Sequence, residues 1–96
     1  MGTLHLVMSA SPGALTDCLR AALPGDAVLL LQDGVYAAAS IVPGAGGHEG
    51  VALHIHDTDA RARALPAETR LAGMTAVDDD GFVALTENHA RVVSWF

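Results

Sequence analysis

The sequence contains no lysine, and its five arginines face eleven Asp and Glu residues, for a net charge of -6. A phosphate-backbone binder needs a basic face, so no direct nucleic-acid contact is expected. There is a single cysteine, Cys18, which excludes an internal disulfide and suits a reducing, cytoplasmic setting. No apolar run approaches the ~18 residues of a membrane span. The opening Met1-Gly2-Thr3-Leu4-His5 lacks the basic start and apolar stretch of a signal peptide, so a soluble protein without membrane attachment is expected. Aromatics make up only 4% of the chain against 51% apolar residues, so the core must be built from Leu, Val and Ala. No Walker, dinucleotide or nucleophile-elbow pattern occurs, which leaves a stand-alone enzyme unsupported and no cofactor implied.

What the sequence does contain is organised around residues 24–38. Pro24-Gly25 signals a turn, and Ala27 to Leu31 is apolar without alternation, as in a strand covered on both faces. Asp33-Gly34 then opens a short Ala-rich helix that should end before the run Pro43-Gly44-Ala45-Gly46-Gly47, a connector. Upstream, Leu4 to Met8 reads as a first strand. Ser11 as N-cap and Pro12 at the first helical position start a helix running to about Leu23, with Leu15, Cys18, Leu19, Ala22 and Leu23 on one stripe.

Downstream, Val51 to His56 is a third strand and Asp57-Thr58-Asp59 opens a short helix carrying Arg61 and Arg63. Met74 to Val77 is a fourth strand, and Asp78-Asp79-Asp80 heads a helix in which Phe82 and Leu85 share a face. The apolar tail Val92 to Phe96 is either an edge strand or an interface element. Strands alternating with short helices predict a single α/β domain over residues 1–96, with a mainly parallel, four- to five-stranded sheet flanked by helices. A core this modest calls for a partner surface.

Ligands of such folds gather beyond the carboxyl ends of the strands, where Ser9–Gly13, Gln32–Gly34 and His56–Asp59 should converge. Cys18 is the candidate chemical residue, since a thiolate can carry sulfur as a persulfide; the competing reading is a small buried hydrophobe on a helix stripe. His54 and His56 point to one face of their strand as paired metal ligands do, but no third ligand stands at a convincing spacing, and no metal site is assigned. His5, His48 and His89 are scattered and read as structural or surface groups, and the acidic triplet reads as a helix cap.

Several stretches in order resemble the DsrH/TusB family of sulfur-relay proteins. They are Leu4-His5-Leu6-Val7, Ser11-Pro12, Cys18-Leu19-Arg20, Pro24 to Leu30, Gln32-Asp33-Gly34-Val35, Asp80-Gly81-Phe82-Val83 and Ser94-Trp95. The resemblance implies a DsrE-like α/β subunit of a hetero-hexamer with two copies each of three related chains. Such a sulfurtransferase complex passes persulfide sulfur towards 2-thiolation of the tRNA wobble uridine or within sulfur oxidation. The implied partners are DsrE/TusD-like and DsrF/TusC-like sister subunits and a downstream DsrC/TusE-like carrier protein. In the family the main sulfur-accepting cysteine lies on the DsrE/TusD chain, and Cys18 matches a position found in DsrH-type members. Two roles follow for this chain: a persulfide carrier through Cys18, or a structural or regulatory subunit without sulfur chemistry of its own.

Overall fold

The structure is a computed structural model that describes residues 2–40, 50–66 and 74–96. Among these residues every strand runs in the same direction. The strands β1 (Thr3–Val7), β2 (Ala27–Leu30), β3 (Ala52–His56), β4 (Thr75–Val77) and β5 (Arg91–Trp95) form one parallel sheet in the order β4-β3-β2-β1-β5. β2 is central and buried along its whole length, which explains why its apolar residues do not alternate.

The chain steps outward from β1 to β4 and then returns past β1 to lay down β5. Right-handed crossovers in opposite directions place their helices on opposite faces of a sheet. Accordingly α1 (Pro12–Ala21), the 3-10 helix Gln32–Ser40 and α2 (Asp57–Ala62) contribute Leu15, Cys18, Val35, Ala38 and Ala60 to one core, with Val7, Val28, Leu30 and Ile55. On the other face Phe82 and Leu85 of α3 (Asp79–Glu87) cover Leu4, Leu6, Ala27, Leu29 and Leu31. No residue of α3 is fully buried, so this second layer is thin.

Several local expectations shift. The predicted helix after β2 is wound as a 3-10 helix, with Val35 and Ala38, three positions apart, buried against the sheet. At its start Asp33 Oδ1 accepts from Arg63 Nε at 3.0 Å. Ser11 occupies the N-cap position of α1 without a side-chain cap, and its carbonyl accepts from Ala14 N at 3.1 Å instead. α1 stops at Ala21, short of Leu23, because the Leu23 amide is claimed by Asp26 Oδ2 at 3.0 Å and the chain turns at Gly25, whose φ of 93° suits glycine. Asp78 does cap α3, accepting from Gly81 N at 2.8 Å, and the tail is an edge strand. The glycine-rich connector at 44–49 lies outside the described residues.

Candidate functional site

Cys18 is the seventh residue of α1, so the positive end of the helix lies too far away to favour a thiolate. Its side chain is 0% exposed and packs in the core with Val7, Leu15 and Val28. Burial pushes the thiol up to about 12, with the Asp26 carboxylate adding to the effect. At neutral pH this group is a protonated thiol, which is neither nucleophile nor metal ligand.

The carboxyl ends of the strands hold a polar cluster instead. Buried His56 ends β3; its Nε2 lies 2.7 Å from Asp79 Oδ1, and Phe82 packs edge-on to its ring. Its Nδ1 is 3.2 Å from Asp59 Oδ2 but is not aligned for a hydrogen bond, and the same oxygen accepts from the Gln32 amide at 2.6 Å. Gln32 adopts a left-handed φ of 52°, a conformation that the bond to Asp59 helps to hold. Two of the three expected stretches, Gln32–Gly34 and His56–Asp59, are thus tied together by Asp59 and by the Arg63–Asp33 pair. The third, Ser9–Gly13, lies beyond β1, where Ala10 and Pro12 line a groove of about 240 Å³ with Leu15, Tyr36 and Ala37.

His54 and His56 do share one face, the one beneath α3. Only His56 meets carboxylates, those of Asp79 and Asp59, and among the described residues no three His, Cys, Asp or Glu side chains are grouped to hold a metal ion. His54 Nδ1 is buried without a hydrogen-bond partner among the described residues, and burial, aided by the nearby His89, holds its pKa below the usual imidazole range. The unfolded chain therefore takes up a proton that the folded chain refuses. Stability is fully present above about pH 6.5 and declines as the pH falls below it. Thermal unfolding of wild type and His54→Gln between pH 5.5 and 7.5 checks this: the variant is expected to show the shallower slope.

A third group escapes the sequence. His5, read as scattered, is buried in β1, and its Nε2 lies 2.9 Å from Asp26 Oδ2 while its Nδ1 is 3.1 Å from Trp95 Nε1. An indole N–H only donates, so Nδ1 accepts from Trp95 and the ring proton on Nε2 goes to Asp26. Asp26 also accepts from the Thr3 and Leu23 amides at 2.9 and 3.0 Å. Burial alone would raise this carboxyl, but those two amides and His5 outweigh it and bring the pKa from 3.8 to about 2. One signal was available: a polar residue inside a strand covered on both faces must find a buried partner. His5, Asp26 and Trp95 come from three separate stretches of the chain and are joined in one hydrogen-bonded series.

A family model described as "DsrH like protein" matches residues 9–92. Among solved structures, the solution NMR structure of protein Tm0979 from Thermotoga maritima is similar, with a TM-score of 0.66 at 21% sequence identity over 88% of this chain and 91% of that one. At that identity the likeness concerns the fold. No curated protein matches.

Proposed function

Because the chain belongs to the DsrH-like family, we infer that it is a subunit of a cytoplasmic sulfur-relay complex and that its part is to complete the assembly rather than to carry the sulfur atom. Its partners in this reading are DsrE/TusD-like and DsrF/TusC-like sister chains, with delivery to a DsrC/TusE-like carrier, towards tRNA wobble-uridine thiolation or within sulfur oxidation. The observation that carries the structural role is the complete burial of Cys18, whose thiol titrates at about 12. In persulfide transfer an acceptor thiolate attacks the terminal sulfur of a donor persulfide and the donor thiolate leaves. Cys18 supplies no thiolate at neutral pH and presents no surface to the donor. For it to accept sulfur, α1 would have to lift from the sheet.

The net charge of -6 leaves contact with a nucleic-acid acceptor to other components. Exposed apolar side chains such as Leu23 and Tyr36 suit packing against neighbouring chains instead.

The test is mass spectrometry of the reconstituted complex after loading by a cysteine desulfurase. Added sulfur is expected on a cysteine of a sister chain and not on Cys18, and Cys18→Ala should leave transfer within about twofold while costing about 1–2 kcal/mol of stability. Sulfur recovered on Cys18, with transfer abolished in the variant, would assign it the carrier role. A separate consequence concerns base: stability should be intact below pH 9 and fall between pH 9 and about 12, as the unfolded thiol ionises while the folded one does not. Cys18→Ala should remove that part of the loss.

A further inference from the structure

Among the described residues β5 is an edge of the sheet, paired on one side with β1 only. The Trp95 carbonyl accepts from Met8 N at 3.2 Å, so Trp95 turns its backbone groups inward. Successive residues of a strand point their amides to opposite sides, which leaves those of Val92 and Ser94 facing outward. Of the devices that block edge pairing the strand carries only one charge, Arg91 at its first position: Arg91-Val92-Val93-Ser94-Trp95 has no proline, glycine, lysine or acidic residue. Val92 is 48% exposed, Val93 37% and the following Phe96 78%.

We propose that β5 pairs antiparallel with β5 of a second copy of this chain about a dyad at Val93, joining the two sheets into one. The occupant follows from what this register brings together. Val92 and Ser94 exchange main-chain hydrogen bonds with the partner's Ser94 and the partner's Val92, using the outward amides. Val93 meets the partner's Val93. Arg91, on the same face of the strand as Trp95, falls opposite the half-buried ring of the partner's Trp95, a cation-on-indole pairing made twice. The two arginines stand at opposite ends of the paired strands, so they do not repel at close range.

The register also places Ala90 opposite the partner's Phe96. Beside Ala90 and Arg91 lies an open hollow of about 420 Å³, lined further by Leu23, Pro24 and Gly2. Leu23 is itself 66% exposed. The most exposed aromatic of the chain is thus brought to the Leu23 and Pro24 side of a mixed hollow whose other wall carries Thr3 and Asp26, and the symmetry repeats the contact. This self-pairing stands independently of the sulfur-relay reading, since it rests on the strand alone.

Sedimentation equilibrium of the purified chain from about 1 to 200 µM tests it. A monomer–dimer equilibrium is expected, with the Kd raised at least about tenfold by Ser94→Pro, which removes an outward N–H and no bond to β1. Val93→Lys, which sets two cations at the dyad, should do the same with circular dichroism unchanged. At the dyad of a non-hydrogen-bonded pair the Cα atoms approach to about 4.5 Å, so Val93→Cys should form an intermolecular disulfide on mild oxidation while buried Cys18 stays reduced. A chain monomeric throughout this range overturns the proposal. So does a dimer indifferent to both edge variants, or a β5 edge that captures a sister chain in place of a second copy.

Discussion

Asp26→Ala is expected to destabilise the domain by about 3–5 kcal/mol, a large share of the ~5–15 kcal/mol that holds an ordinary small domain together. The carboxylate is buried, and it accepts from Thr3 N, Leu23 N and His5 Nε2, all within 3.0 Å. Removing it strands three donors away from water, and each lost partner costs about 1–3 kcal/mol. The effect also propagates, since the Leu23 amide fixes the exit of α1 and His5 in turn holds Trp95 at the end of β5. Urea unfolding measures the change. Asp26→Asn, which keeps one acceptor oxygen and loses the charge, should fall between wild type and Asp26→Ala. A loss below about 1 kcal/mol in the alanine variant would mean that water replaces the carboxylate and that the group is not sealed.

The same residue predicts the acid limb of stability. With a folded pKa of about 2 against 3.8, Asp26 contributes stability that is complete above pH 3.8 and lost as the pH falls towards 2. That depression corresponds to roughly 2 kcal/mol. The acid transition of Asp26→Asn should lack this component while keeping the His54 component at higher pH.

Gly34→Ala should be nearly as damaging, at about 3 kcal/mol, the upper end of what overpacking usually costs. A Cβ at position 34 would stand 1.8 Å from the Val7 carbonyl oxygen and 2.6 Å from its carbon. Both are backbone atoms, so no side chain can swing aside. Relief requires the 3-10 helix to move off the end of β1, where the Leu31 amide donates to Val7 O at 3.1 Å. Thermal unfolding together with amide exchange at Leu31 reads this out, and faster exchange there is the expected local signature. Gly13→Ala is the control, because a Cβ there meets nothing within 4 Å and alanine is the better helix former by about 1 kcal/mol. If the two substitutions prove equally mild, close approach is not the reason for glycine at 34.

Gly34 shows what a sequence conceals. Asp33-Gly34 reads as a turn signal, and a turn argument looks for a left-handed backbone. Here the positive φ belongs to Gln32, and Gly34 is needed for space against a strand far away in sequence. His54 and His56 make the opposite case: the period of two placed both on one face from sequence alone. Only the sheet order then brought Asp79 to His56, because α3 crosses the face that β3 presents. Asp79 reads as one acid of a capping triplet; Asp78 takes the cap and frees Asp79 for the imidazole.

Period, breakers and connection lengths were enough to yield the α/β class and the mainly parallel sheet, because these depend on neighbours along the chain; the apolar tail was left as edge strand or interface element, and the sheet order made it the edge strand β5. The residues matching the DsrH-like family were likewise readable in order. What tertiary structure alone decided is the state of each polar group. Cys18 faces the sheet and titrates at about 12, and His5, Asp26 and Trp95 become one buried hydrogen-bonded chain, although Trp95 lies ninety residues from His5. The reason is physical: apolar pattern is local, whereas desolvation and hydrogen-bond satisfaction depend on which distant segments close over a group.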